Sequence, residues 1–552
     1  MTIALEMQFS GSGGAWTDVW SDVRSDVPVS IQYGISGVGP FDHIADTGTM
    51  SFALNNAQSN SSGSLGYYSP GSGTARSGFE IGINARLAVT YGGSTFYKFV
   101  GRLSEITPES GRLLSRRTHC TATDWLEEAN NLKLRRMGPQ INLTCGSLFG
   151  LVASAIQRPP TASSINTGQD ELSIAGDTWK DEKTTIYEAL ADITMSEWGY
   201  MYVKGDTSTG GVLTFEDRLA RVRNTTVTAI LVDKNLRELE IERTQETIIN
   251  RFGVEAHRRL ADTPTATCIL YTLEKPLFLA ASTTASVVGN YIDPLEFSKR
   301  VGGASMISPA SGVDYTFTSE ESGSILGDNR RGQAIVSIAC MPGIDMSSAL
   351  QISASFGANS VQYALTNPCP VHGYVTQLIA RGRGLYDYNV DTYLTDNASS
   401  VNTYGVREET IDMPLQTSIN VGKDVGDYLL SWLKDPHYVV NRVTFFGDEA
   451  ILDVGGIGTM KIGDTFIVGV TTTNSLTAGL KVEPGSKISI AESVTGIGQI
   501  YDVNGVEIEI TPGNTPQGAE LIKFTFSVVQ ADTTHYWVLN TDALDEGTKL
   551  AW

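Results

Sequence analysis

The chain has 552 residues, with 61 Asp and Glu against 40 Lys and Arg and a formal charge of −21. Its length excludes a single compact domain, and its acid surplus disfavours tight nucleic-acid binding, which needs clustered Lys and Arg. Hydrophobic residues at 41 % can fill several cores, and 56 Gly with 18 % charged residues suit a β-rich protein with many turns rather than long charged helices.

Met1–Glu6 shows no basic region before its first acid, so no secretory signal is expected. No stretch approaches the roughly 18 apolar residues that span a bilayer, which predicts no stable membrane insertion. Through 1–110 apolar residues alternate, as at Met50, Phe52 and Leu54 and at Leu87, Val89 and Tyr91, which predicts strands. Gly92-Gly93 offers a two-residue hairpin turn. Ser59–Ser77, rich in Ser, Gly and Tyr, reads as a long surface loop.

Asp124 and Glu127 have capping-box spacing ahead of Leu126, Ala129 and Leu132, and Leu148, Val152, Ala155 and Ile156 propose a second helix. A third has Thr185 and Glu188 as its capping pair, Ile186, Leu190 and Ile193 inside, and Gly199 as its stop. Tyr200–Val203 and Val212–Glu216 then form a hairpin, so that 119–220 is a small α+β unit interrupting β structure. Strands return from 226. Alternation through Leu350–Phe356 and Val361–Leu365 predicts another hairpin within a β module at 301–395, and Val425–Lys434 is a short helix stopped by Pro436. Tyr501–Val503 and Val506–Ile510 flank Asn504-Gly505, a strong hairpin signal.

Chemistry finds little support. The six histidines, at 43, 119, 257, 372, 437 and 535, lie in separate segments, and the zinc-protease, P-loop, nucleophile-elbow and EF-hand motifs are absent. His119 beside Cys120 is the only Cys/His neighbour pair, and adjacent strand residues face opposite ways. Five cysteines, odd in number and without Cys-x-x-Cys spacing, read as buried free thiols of a reducing compartment. Gly11–Gly14, Gly34–Gly39 and Gly455–Gly458 read as turns, since none opens a capped helix after a strand. No catalytic, cofactor-binding or metal residue is assigned, and no cofactor is expected. Tyr386-Asp387-Tyr388 and Asp532–Trp537 have the composition of a sugar groove, although Tyr on a strand more often packs on a sheet face.

The order of short segments is more informative. Trp16–Val19, Gly34–Gly37, Thr47–Asn56 and Gly66–Pro70, followed by Glu197–Tyr202, Leu213–Arg218, Ile249-Asn250-Arg251, Ser399-Ser400 with Tyr404-Gly405, Ile462-Gly463-Asp464, Tyr536–Leu539 and Leu550–Trp552, stand in an order that resembles the tail-tip or baseplate hub proteins of long-tailed bacteriophages. The resemblance implies a mainly β, multi-domain chain with a small α+β insertion, two barrel-like hub domains and further β modules. On that mapping 1–118 is the N-terminal β-barrel hub domain and 119–224 the α+β insertion. A second barrel-like hub domain at 225–300 is completed by strands in 400–470, a β-sandwich-like module occupies 301–399, and 400–552 holds a helix and a C-terminal β region.

The same resemblance implies a homotrimer in the virion tail, assembled in the host cytoplasm. Its partners would be a distal tail or tube protein, a tape-measure protein and tip or fibre proteins, with DNA passing through transiently and without specific binding. A channel wall of net negative potential would suit that passage. Tyr67 and Tyr68, in the Ser/Gly loop, are the candidate subunit contact, and replacing both by Ser is expected to spare the monomer. The alternatives are a carbohydrate-binding tail adhesin and a cell-wall glycan hydrolase, and no peptidase, lysozyme-like or fibre region is apparent.

Overall fold

The computed structural model describes the chain except residues 10–12, 111–115, 135–136, 177, 180–182, 234–235, 266, 293–300, 320–344, 448–459, 463–464, 468–474, 514–519, 532–535, 538–548 and 551–552. Gly455–Gly458, half of Gly11–Gly14, and parts of Ile462-Gly463-Asp464, Asp532–Trp537, Tyr536–Leu539 and Leu550–Trp552 therefore lie outside the described residues.

The fold is mainly β, and its largest sheet has 13 strands. The antiparallel path runs Glu238–Glu242, Val439–Phe446, Leu521–Gln530, Ile497–Thr511, Val29–Gly34, Thr49–Asn55, Arg117–Thr123, Ser94–Pro108, Asn84–Tyr91, Thr2–Met7 and Thr17–Asp18. Lys487–Glu492 branches from Ile497–Thr511 and pairs in parallel with Val227–Val232. Chain ends far apart in sequence thus share one core, in which Leu5, Phe52, Leu87 and Phe99 join Val443, Phe445, Ile508 and Phe524. The predicted turn at Gly92-Gly93 is present, both residues having positive φ.

Two expectations are corrected here. No sheet of the described residues closes into a barrel, neither at 1–118 nor at 225–300. The outer edge of Val29–Gly34 is taken by residues 505–510 of the C-terminal strand, so the N-terminal strands do not close a hydrogen-bonded ring of their own. Nor is Asn504-Gly505 a hairpin turn. It lies inside the single strand Ile497–Thr511, at a bulge in the pairing with Leu521–Gln530. Flanking partners on both sides hold that strand extended, and their ladders outweigh the local turn preference.

The three helices and the hairpin expected in the α+β unit are present, with Leu132 and Ile156 falling beyond their helices and Leu132 exposed, and strands Gln140–Thr144, Ala162–Ile165 and Glu171–Ala175 are additional. Helices Trp125–Asn131, Cys145–Ser154 and Ile186–Glu197 bury Leu126, Leu148, Phe149, Leu190 and Ile193 against the hairpin Tyr200–Lys204 and Val212–Glu216. Thr185 and Glu188 form a complete capping box, whereas Asp124 caps Leu126 N–H without a reciprocal bond from Glu127. The third helix ends on Trp198, in the left-handed region at φ 57°, one residue before the expected stop. Gly199 is needed for a different reason, since a Cβ there would sit 2.2 Å from the Glu216 carbonyl oxygen.

The hairpin Gln351–Phe356 and Ser360–Thr366 forms as expected, joined by Thr284–Asn290. Its residues Tyr363 and Leu365 share a core with Leu270, Phe317, Val375 and Leu378 from a facing sheet built on the long strand Gly373–Asp396, so this packing begins before residue 301. Another core packs helix Ile419–Leu433, longer than expected at its start, against Phe252, Val254 and Ile411. Cys120, Cys145 and Cys268 are thiols outside any disulfide, Cys268 donating to Asp262, whereas the buried Cys369 is disulfide-bonded, which corrects the all-thiol expectation.

Candidate functional site

Two buried polar nodes, built from the segments whose order was informative, join the units of the chain. The first starts where helix Ile186–Glu197 ends. Glu197 is fully buried, its Oε1 accepting from Gln169 N–H at 2.9 Å and facing Arg218 Nη1 at 3.3 Å. Arg218 also donates to Asp170 at 2.7 Å. Asp170 accepts from Gln416 Nε2 at 3.2 Å, and Leu415 N–H donates to Ser196 Oγ at 2.8 Å, which docks the 415–416 segment onto the helix end. Burial raises the pKa of the Glu197 carboxyl, and the Arg218 guanidinium opposes that rise.

Beside it, the Trp198 ring lies 4.3 Å from the His43 ring, which stacks on Tyr200 at 4.5 Å. The Arg221 guanidinium covers Tyr200 at 3.5 Å, donates to Glu216 at 2.9 Å and reaches Asn504 Oδ1 at 2.7 Å. Asn504 is the bulge residue of the C-terminal strand, and its carbonyl accepts from Ile35 N–H. Glu483 adds a second tie, accepting from Tyr33 Oη at 2.8 Å and Gly205 N–H at 3.0 Å and pairing with Lys98. Lys98 is itself a bulge residue turned inward, donating to the carbonyls of Leu480 and Val482. Lys98, Arg221 and Glu483 were not anticipated from the sequence, and Asn504 was expected only as a turn residue. A lysine on the face of Phe96 in an apolar strand was the available signal.

The second node is Asn250, fully buried. Its Nδ2 donates to Gly405 O at 2.8 Å and Ser400 Oγ at 3.2 Å, while its Oδ1 accepts from Arg407 N–H at 2.8 Å. Ser400 in turn donates to Lys434 O at 2.6 Å, at the end of helix Ile419–Leu433. Ile249-Asn250-Arg251, Ser399-Ser400 and Tyr404-Gly405 are therefore one structure, although about 150 residues separate them. Both nodes are largely buried and held by hydrogen bonds across distant segments, an arrangement that fixes geometry, and a small cavity lined by Trp198, Tyr200, Arg218, Arg221 and Asn504 adjoins the first. Among the described residues no three His, Cys, Asp or Glu side chains gather as metal ligands.

Tyr67 and Tyr68 are placed differently from expectation. Tyr68 is fully buried in its own unit, donating to Asp22 at 2.6 Å and packing on Phe79, while Tyr67 is partly buried against it. Asp22 also accepts from Ser61 N–H and Oγ, so a buried carboxylate orders this loop from inside. Tyr68 is unavailable as a subunit anchor, and Tyr68→Ser should lower monomer stability by about 3–5 kcal/mol, read as an earlier urea midpoint. His119 and Cys120 face opposite sides of their strand, the thiol buried and the imidazole partly exposed. Tyr386-Asp387-Tyr388 is likewise split, with Tyr386 Oη bonded to Asp262 at 3.0 Å and Asp387 lying 3.7 Å from Arg259.

Two buried titratable groups give opposite pH signatures. Burial, aided by the nearby Arg221 charge, pushes His43 down to about 4, so its contribution is complete above pH 6.5 and is lost as pH falls toward 4. Burial, aided by the Glu127 charge, pushes Asp124 up to about 7, so stability gained there grows as pH falls from 7 toward 3.8. His43→Asn should flatten the acid-side loss in a melting series from pH 4 to 8, and Asp124→Asn should remove a loss on the alkaline side. The same slope in both variants would contradict this assignment.

The sequence matches no family model, and no curated protein matches it. Among solved structures the chain is similar to the 43 kDa tail protein of prophage MuSo2 from Shewanella oneidensis, at 10 % identity and a TM-score of 0.45, covering 96 % of this chain and 99 % of that one. A tail protein from Neisseria meningitidis MC58 aligns at 8 % identity and 0.41, over 96 % of both chains. Prophage tail protein gp18 from Listeria monocytogenes EGD-e aligns at 8 % and 0.39, over 96 % of this chain and 94 % of that one.

Proposed function

We propose that the chain is a structural virion protein forming the hub at the distal end of a bacteriophage tail. In this role it joins the tail tube to the tip and surrounds the DNA exit channel. The observation that carries the reading is the convergence of the hub-like segments. Glu197–Tyr202 meets Leu213–Arg218 inside the α+β unit, which Gln416 and Asn504 then tie to the rest of the chain, and Ile249–Arg251 meets Ser399-Ser400 and Tyr404-Gly405 in a second buried clamp. A protein that must transmit force between neighbours needs its units held in fixed relation, and clamps of this kind supply that. It acts without catalysis, as a homotrimer, with tube, tape-measure and tip or fibre proteins as neighbours and DNA passing without specific binding. Cryo-electron microscopy of the particle tests this directly. Three copies at the tail tip are expected, and two or six copies, or a position away from the tip, would overturn the proposal.

A further inference from the structure

A groove of about 540 Å³ lies between the outer face of the N-terminal strands and the start of the α+β unit. Its size falls within the roughly 300–1,000 Å³ of small-molecule sites, and junctions between units are where such sites concentrate. Arg102 on the sheet side and Arg158 on the other side converge on a single atom, Glu128 Oε1, at 3.1 and 3.3 Å. That one oxygen uses few of the N–H donors that two guanidinium groups carry. Trp16 and Trp125 add aromatic surface, Trp16 under the Arg86 guanidinium at 4.1 Å and Trp125 anchored through its Nε1 to Arg158 O at 2.9 Å.

The charge of the lining selects among ligands. Arg86 pairs with Glu6 at 2.6 Å, and Arg102 and Arg158 share Glu128 with Glu127 alongside, so the groove holds no surplus of either sign to attract a polyanion or a cation. What remains is directional hydrogen bonding beside flat apolar rings. A ligand with hydroxyl edges and C–H faces meets both demands. We infer that this groove binds a neutral oligosaccharide, with Arg102, Arg158 and Glu128 engaging hydroxyls and the two tryptophans providing stacking surface. This inference is independent of the tail assignment, and it gives the adhesin alternative a site other than Tyr386–Tyr388.

The test is isothermal titration of the full chain with hexasaccharides of glucose, mannose and N-acetylglucosamine, and with a polyphosphate of similar length. Saturable binding of at least one neutral hexasaccharide is expected, weakened roughly tenfold by Trp16→Ala, the loss of one aromatic platform, and also weakened by Arg158→Ala. The Arg158 side chain is 61 % exposed, so its removal leaves the fold intact and keeps the test valid if Trp16→Ala unfolds. No binding of any neutral probe at millimolar concentration would overturn the inference. So would binding that neither substitution changes, or a preference for polyphosphate that salt abolishes.

Discussion

Asn250→Leu is expected to destabilise the protein by about 3–5 kcal/mol, because one substitution strands several buried partners at once. The Arg407 N–H and the Gly405 carbonyl both lose the amide that satisfies them, and Ser400 loses its donor. An isosteric Asp would restore the acceptor and not the donor, so Asn250→Asp should recover only part of the loss. Because the node ties strand Arg251–Ala261 to helix Ala398–Tyr404 and to the end of helix Ile419–Leu433, damage should be local first. Amide exchange should accelerate in 397–407 before the 13-stranded sheet is affected. Uniform acceleration across the chain would show that Asn250 is not a clamp for that segment.

The elements that sequence revealed are those whose determinants are local. The Thr185–Glu188 capping box and the Gly92-Gly93 turn each need only a few neighbouring residues, and both stand where expected. Asn504-Gly505 has an equally good local signal and fails, because ladders from Lys487–Glu492, Val29–Gly34 and Leu521–Gln530 hold that strand extended through the bulge. Tyr68 fails for a related reason. Its partner Asp22 lies 46 residues away, and nothing in the Ser/Gly loop announces a buried carboxylate beneath it. The nodes were half visible. Glu197, Arg218 and Asn250 belong to segments marked by their order, yet Arg221 with Asn504 joins residues 283 apart, a contact no spacing rule reaches.

The other large effect is expected at the first node. Arg218→Met leaves Glu197 fully buried and Asp170 without their shared cation, and breaking a buried pair from one side costs about 3–5 kcal/mol. Removing the opposing charge as well should recover much of that, so Arg218→Met with Glu197→Gln is expected to be more stable than Arg218→Met alone. The pH dependence separates this from simple loss of packing. Burial already raises the Glu197 pKa against the pull of Arg218, and without Arg218 the carboxyl rises further. A folded-state pKa above the unfolded value makes stability increase as pH falls. The deficit of Arg218→Met should therefore shrink between pH 8 and pH 5, and the double variant should show no such recovery. Equal deficits at both pH values would mean that Glu197 is not the group left stranded, and the node would have to be understood through Asp170 and its contact to Gln416 instead.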